Sequence, residues 1–567
     1  MLRRPKFPLW SRLLTVGMPV FRSELRRRAL GATLGLIFLL LVINGLNVVI
    51  SYVTRDFMTA LSRREERRFY LTAVALAGVF VVSTTAAVLA RYVEERLGLM
   101  WRDWLTRRFL ERYLRGRAYR RLMRREDVDN PDQRIAEDVK TFSVSTLSLV
   151  IIAFNALLAI ITFASVLCSI TPWLLVAAVT YALVGSAGMI LVGRRLVELS
   201  NAQYRKEADF RYALVRIREH AEAVAQMAGE HDEKLRLGQR LLSLVANFRR
   251  IIDVNRNLGF FVNSYNYLTQ VIPVVIVAPL YVSRQVEFGT VAQSAMAFTF
   301  TLNGFSLIVS QFQQLSSYAA VVARLGTLWE ATADDESVRM DAASPGQRHL
   351  VTEAEPGGRH VSYQGVTLET PTEHRVLVRQ LSLEVPEGRR LIITGPNGAG
   401  KTALFMATAG LWESGSGHIL RPESPHSMFL PQHPYAITGR LRDHLLYGLE
   451  RAQFEDARIA DVIRQVGLEE VVARVGGLDA ERDWSNAMSE GELQTCALAR
   501  LILARPRFAF LDQTLAMLEA AREERLYAAL SRTDITYISI GDHPALFKYH
   551  ELRLDLHGDG CWGLGPT

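Results

Sequence analysis

Gly395-Pro396-Asn397-Gly398-Ala399-Gly400-Lys401-Thr402 fills every fixed position of a GxxxxGK[ST] phosphate-binding loop. The apolar run Leu391-Ile392-Ile393-Thr394 precedes it as a strand, and Ala403-Leu404-Phe405-Met406 follows as the start of a helix. In that context the glycines let successive backbone N–H groups curl around phosphate oxygens at a helix N-terminus. Lys401 is then placed to reach the β- and γ-phosphates, and the Thr402 hydroxyl to hold Mg²⁺. Glycine-rich turns without a ligand do occur between strands and helices, but the complete motif in this setting predicts a nucleoside triphosphate, ATP, with Mg²⁺.

Outward from this loop the composition changes character. The chain has 567 residues, 49% of them hydrophobic, and a mean hydropathy of +0.10, high for a soluble nucleotide-binding protein. The excess lies in the first 323 residues, in uncharged stretches from Ala29 to Thr54, Phe69 to Ala90, Thr141 to Gly193, Asn257 to Ser283 and Phe288 to Ala323. A span needs about 20 apolar residues, so the stretch from Thr141 to Gly193 holds two, with Thr171-Pro172-Trp173 as the turn. The expectation is six transmembrane helices. Arg3, Arg4, Lys6, Arg12, Arg22, Arg26, Arg27 and Arg28 precede the first, which places the N-terminus in the cytoplasm. Six spans return the chain to the side where the phosphate loop meets ATP. Arg55, Arg63, Arg64, Arg67 and Arg68 in the first outer loop run against this rule, softened by Asp56, Glu65 and Glu66.

A net charge of +8 raises nucleic acid as a partner. The basic residues instead crowd beside the spans without the interleaved aromatics of a base-stacking surface, so membrane lipid, and no nucleic acid, is expected. Three cysteines, Cys168, Cys496 and Cys561, indicate neither a disulfide framework nor a metal cluster. The charged stretches Arg91–Lys140 and Arg194–Arg256 read as helices continuing out of the membrane, and arginine runs such as Arg120-Arg121 and Arg124-Arg125 as solvated or headgroup-facing surface. Within the spans, Asn44, Asn47, Asn155, Asn263, Asn266, Gln270 and Asn303 read first as interhelical hydrogen-bonding groups. No acidic or basic residue lies mid-span, so a buried proton relay is not supported. The expected organisation is a basic cytoplasmic segment (1–28), a six-helix membrane domain with long cytoplasmic extensions (29–330), a Pro/Gly/Ser/acid-rich linker (331–359) and a nucleotide-binding domain of alternating strands and helices (360–567).

Downstream of the loop the residues resemble an ABC transporter in order. Phe429-Leu430-Pro431-Gln432-His433-Pro434-Tyr435 looks like the Q-loop, and Ser489-Glu490-Gly491-Glu492-Leu493-Gln494 the SxGE variant of the signature. Phe508-Ala509-Phe510-Leu511-Asp512 is similar to a Walker B strand, and Ile538-Ser539-Ile540-Gly541-Asp542-His543 lies where a switch histidine is expected. In the membrane half, Asn130–Val139, Glu207–Arg211 and Gly229-Glu230 resemble subfamily D transporters and their bacterial relatives, with Gly410-Leu411-Trp412 and Asp483-Trp484 in agreement. The resemblance implies a half-transporter: an α-helical, exporter-like membrane domain fused to one α/β P-loop domain. It implies ATP binding by Gly395 through Thr402 and by Ser489, Gly491 and Glu492, with Mg²⁺ at Thr402, Gln432 and Asp512. Catalytic roles fall to Gln432, His543 and the residue after Asp512. Two copies are implied, a homodimer or a heterodimer, because the P-loop of one domain takes ATP against the signature of the other. The substrates implied are small hydrophilic molecules, peptides or acyl-CoA, and a bacterial inner membrane is the expected site.

The departures from the family pattern cluster in the hydrolytic half. Gln513 stands where a Glu normally polarises water; an amide orients water without accepting its proton, and general-base assistance of about 10²–10⁴-fold is at stake. Thr514-Leu515-Ala516-Met517-Leu518-Glu519 has drifted from the usual D-loop, Thr495-Cys496 follows the signature, and the histidine is one residue late or absent. Drift in several segments favours natural change over a single engineered Glu→Gln exchange. Tyr363 is a weak substitute for a base-stacking aromatic. Two readings result: a slowly hydrolysing transporter, or an ATP-binding, non-hydrolysing regulatory half of a heterodimer.

Overall fold

The computed structural model describes residues 9–123, 128–306, 311–333, 349–371, 373–450, 454–513 and 518–567. Two compact units divide at Val338/Arg339. Of the sequence features above, residues 1–8, Arg124-Arg125, residues 514–517 of the drifted D-loop and most of the expected linker (334–348) lie outside the described residues.

The first unit is built of helices: α1 (Leu9–Gly17), α2 (Arg26–Arg63), α3 (Glu66–Leu114), α4 (Val139–Ile170), α5 (Pro172–Glu219), α6 (Glu230–Val282), α7 (Phe288–Phe305) and α8 (Phe312–Ala333). Thr171 is extended and Pro172 opens α5, so the expected turn forms where proline's missing N–H costs no helical bond. The charged stretches continue the spans as helices at first, and each then breaks: one after Leu114, where Gly116 has φ +56, with Pro131 opening a further turn, the other between Glu219 and Glu230. At 1.5 Å per residue the 53 residues of α6 reach about 80 Å, far beyond a hydrocarbon core of about 30 Å.

Among the described residues five helices are long and apolar enough to cross a membrane. The sixth expected span, Phe288–Ala323, falls on α7 and α8, with residues 307–310 outside the described set. The reason α7 is less apolar lies in its position. It packs against α2, α4, α5 and α6, and Thr290, Gln293, Ser294, Thr301 and Gly304 are buried along it. A helix enclosed by other helices needs small and polar contact residues rather than a lipid-facing apolar surface. A Cβ on Gly289 would overlap the Arg55 carbonyl oxygen, which shows how closely α7 approaches α2. Arg63 of the basic outer loop bonds Glu287 at 2.8 Å, and Arg55 bonds Asp56 at 3.0 Å, so part of that charge is neutralised locally.

The N-terminal segment is more than a basic tail. Val16 and Val20 join a buried cluster with Trp101, Phe109, Phe142 and Leu325, and Arg12 is buried against Glu330 of α8 at 2.9 Å. The same helix α8 receives the Asn130–Val139 stretch. Arg134 donates to the Arg324 carbonyl (2.8 Å) and the Thr327 hydroxyl (2.7 Å), and Arg324 forks onto buried Asp138 at 2.6 and 2.7 Å. These bidentate contacts fix α8, the last helix before the second unit.

In the second unit, β1 (Leu350–Glu355), β2 (His360–Glu369), β3 (Val376–Pro386) and β5 (Gly415–Pro422) form one sheet in the order β1-β5-β2-β3. Thus β1 takes residues expected in the linker. The larger sheet contains β4 (Leu391–Thr394), β6 (Ser427–Leu430), β9 (Phe508–Asp512), β10 (Thr536–Ile540), β11 (Leu552–Leu556) and β12 (Trp562–Pro566), in the order β12-β11-β4-β10-β9-β6. A short pair, β7 (Thr438–Arg440) and β8 (Glu481–Asp483), completes the strands. β4, β10 and β9 are parallel and buried along their whole length, as strands covered on both faces must be. Phe429 stacks on Phe510 at 4.3 Å within that core. Tyr363 is also core: it is buried, its hydroxyl lies 2.9 Å from that of Thr408, and burial pushes it up to about 12, so it is no base-stacking residue.

Two buried histidines make this unit acid-sensitive. Burial, reinforced by the charge of Arg500, lowers His444 to about 4; burial lowers His550 to about 4 as well, against the pull of its bond with the Leu546 carbonyl. Their ordinary value is 6.5, so on acidification the unfolded chain binds protons that the folded chain refuses. Stability is therefore complete above pH 6.5 and falls as pH drops toward 4, by about 3 kcal/mol per histidine at the acid end. Thermal unfolding of the detergent-solubilised chain is expected to show a flat midpoint above pH 7 and a steep decline below 6.5, with a shallower decline in His444→Leu.

Candidate nucleotide-binding site

The three central strands end together, and their carboxyl edge carries the site. Loop 395–400 follows β4, Asp512 closes β9, and Gly541-Asp542 follows β10; ligands bind at such an edge in open parallel sheets. Two glycines are required by the backbone. Gly395 has φ +137, and a Cβ there would overlap the Leu556 carbonyl; Gly400 has φ +101 and opens the helix Lys401–Thr408. Pro396, Asn397 and Gly398 are exposed at the loop's rim, whereas Ala399 and Gly400 are buried beneath it.

Lys401 is 6% exposed. Its ammonium donates to the carbonyls of Gly395 and Pro396, and to Asp542 Oδ2 at 3.0 Å. Asp542 Oδ1 accepts the Gly395 N–H at 3.2 Å. One carboxylate thus holds a backbone N–H of the loop and the ammonium that the motif directs at phosphate. Asp512 is buried; burial pushes its carboxyl up, while a hydrogen bond from the Thr402 hydroxyl and the charge of Lys401 oppose this. Thr402 and Asp512 therefore meet, as expected for a Mg²⁺ site. A hydroxyl and a carboxylate are hard oxygen donors that suit Mg²⁺ completed by water and phosphate.

The other expected residues separate into two groups. Gln432 follows β6, and its backbone carbonyl accepts the Gln494 side-chain amide at 3.1 Å, which ties the Q-loop to the signature helix Glu490–Ala504. Gln513 follows Asp512 directly with φ +45, a left-handed conformation uncommon outside glycine, and its N–H bonds the Ile540 carbonyl. Ser489 caps the signature helix: its hydroxyl accepts the Glu492 N–H at 3.3 Å while Glu492 accepts the Ser489 N–H at 2.9 Å. Glu492 also bonds Arg474 at 2.9 Å; burial raises its carboxyl, but Arg474 and Ser489 outweigh burial and lower it. Glu492 is thus committed to the cap rather than free for nucleotide. No hydrogen bond joins Ser489 or Gly491 to residues 395–402 among the described residues. His543 is exposed and makes no hydrogen bond to the loop; its charge acts on Glu523, whose carboxyl burial raises. Asp542 is the residue that sequence motifs missed. The signal was register: β10 ends at Ile540, so the second residue beyond it reaches the phosphate edge.

In the membrane unit, Asn44 donates to Asn155 at 3.2 Å, as expected of interhelical glue. Asn266, Gln270 and Asn303 instead line a cavity of about 390 Å³ with Ser186, Tyr265 and Thr269. Tyr265 stacks on Tyr181 at 4.4 Å, in space left by Gly185, where a Cβ would overlap the Tyr265 ring. The three cysteines are unpaired.

Long apolar helices joined to a parallel-sheet unit with a complete phosphate loop define a membrane-embedded ATP-binding protein. Comparison with known proteins gives the family. The model for ABC transporter transmembrane region 2 matches residues 18–282, and that for ABC transporter matches residues 378–516. An uncharacterized ABC transporter ATP-binding protein of Synechocystis is 38% identical, over 96% of this chain and 83% of that protein. ABC transporter D family member 2, chloroplastic, of Arabidopsis thaliana is 34% identical, over 97% of this chain and 86% of that protein. A bacterial Atm1-family ABC exporter solved with ATP bound has the same fold, with a TM-score of 0.73 over 96% of each chain at 16% identity. The chain belongs to the ABC transporters, of the subfamily D type, and is an ATP-binding integral membrane protein that works in ATP-driven membrane transport.

Lys401→Ala removes the buried cation and is expected to reduce ATP binding by more than 10-fold in a filter-binding assay with the purified chain. Ser489→Ala should leave that single-chain binding unchanged, while lowering stability by about 1 kcal/mol through loss of the cap.

Proposed function

We propose that two copies of this chain form a transporter in a bacterial inner membrane, with the nucleotide-binding units in the cytoplasm and Mg²⁺ held by Thr402 and Asp512. The observation that carries this reading is the division of the site. Lys401, Thr402 and Asp512 are assembled at one edge, whereas Ser489 caps a 15-residue helix without bonding that loop. The Ser489 hydroxyl accepts from Glu492 and keeps its own proton to donate, at a helix end that favours anions. The γ-phosphate held by one copy's Lys401 is the group it suits in the other copy. ATP then stabilises the closed dimer, and hydrolysis releases it; the substrate cavity follows as a population shift.

The cavity lining sets the amides of Asn266, Gln270 and Asn303 beside the apolar Met189, Phe261, Val262 and Leu302, so a peptide, or a hydrophilic compound with an apolar part, finds partners for both. The basic N-terminus and the second unit's need for ATP both support the cytoplasmic assignment.

Complementation tests the shared site. Lys401→Ala and Ser489→Arg chains are each expected to be inactive in liposomes. Mixed before reconstitution, they should recover about a quarter of native ATP turnover, the statistical share of intact composite sites in a symmetric dimer. No recovery, with native turnover present, would mean that Ser489 does not complete a second copy's site.

A further inference from the structure

The hydrolytic half lacks its usual carboxylate, and the fold brings another one in. Gln513 cannot take a proton from water. Asp542, two residues beyond β10, sits against the phosphate loop with Oδ2 at 3.0 Å from Lys401 Nζ and Oδ1 at 3.2 Å from the Gly395 N–H. Its side chain is 49% exposed, so water reaches it, whereas Lys401 beneath it is buried. The neighbouring carboxylates have other duties: Asp512 is buried against Thr402, and Asp555 is bound by Thr394 and by Arg553. The expected histidine does not compete, since His543 makes no hydrogen bond to the loop.

We propose that Asp542 is a catalytic residue of this ATPase, the acceptor of the proton from the attacking water; this rests on the transporter reading above. The pair with Lys401 marks the position. Phosphate that enters the loop takes over the Lys401 ammonium, which the motif directs at the β- and γ-phosphates. The carboxylate is then a neighbour of the γ-phosphate with Oδ2 free. Water oxygen forms a bond to the γ-phosphorus, one water proton passes to Asp542 Oδ, and the bond from phosphorus to the β,γ-bridging oxygen breaks. ADP leaves with that electron pair, and the proton returns to solvent when inorganic phosphate departs. The Gln513 amide orients the water.

The test uses the full chain in liposomes, with Mg-ATP turnover and binding of radiolabelled ATP measured separately. Asp542→Asn and Asp542→Ala are expected to lower turnover about 100-fold or more while binding stays within a few-fold of native or tightens. Added formate should restore turnover to Asp542→Ala, which has room for it, and not to Lys401→Ala. In a Gln513→Glu background, Asp542→Asn should have little effect, since the proton then has another acceptor. Native turnover that persists or rises in Asp542→Asn would overturn the proposal and leave Asp542 as a plug on Lys401. A loss that formate does not relieve and that Gln513→Glu does not bypass would overturn it too, assigning Asp542 a structural part. A native chain that neither binds nor turns over ATP would instead bring down the transporter reading itself.

Discussion

A buried ammonium group must have an anion or a ring of carbonyls around it, and Lys401 has both. Taking such a charge out of water costs several kcal/mol unless hydrogen bonds replace the lost hydration. The carbonyls of Gly395 and Pro396 and the carboxylate of Asp542 provide them here. The phosphate edge is organised around that requirement. Glycine at 395 lets the loop approach the Leu556 carbonyl, the parallel strands β4, β10 and β9 bring the loop and both acids to one line, and a buried core behind them holds the line rigid. Nucleotide binding is then an exchange of one anion for another at a cation that is never left alone.

The same economy of buried charge governs the membrane unit. Arg12, Arg134 and Asp138 are buried in the helical unit, and each has its partner on α8. Two distant segments of sequence thereby converge on the helix that leads to the nucleotide-binding unit. Charged pairs with this geometry fix register more than they add stability. Toward the middle of the helices the polar groups are neutral, and they divide between helix-to-helix bonds, as in Asn44 with Asn155, and the lining of a cavity.

Gln513 and Asp542 lie at the same edge of the larger sheet. The binding half keeps Lys401, Thr402 and Asp512 in contact, and the cap at Ser489 is intact. Gln513 and Asp542 follow adjacent strands: Gln513 bonds the Ile540 carbonyl through its backbone, two residues before Asp542.

Much of the molecule was legible in the chain itself. The phosphate loop, the Walker B strand, the capped signature helix and the Thr171-Pro172 turn are local: their hydrogen bonds and backbone angles are satisfied within a few consecutive residues, so residue type and spacing suffice. The long helices follow from uncharged runs and from the breaker-poor parts of the charged stretches beside them. What only the tertiary structure decided depends on partners far away in sequence. It placed Asp542 rather than His543 on Lys401, gave Glu492 to the cap and Arg474, put Tyr363 in the core and drew β1 from the expected linker. It also enclosed α7, whose polar character weakens it as a span. In each case the residue's role is set by which buried group or enclosing surface folding brings beside it, and one position along a strand is enough to change that partner.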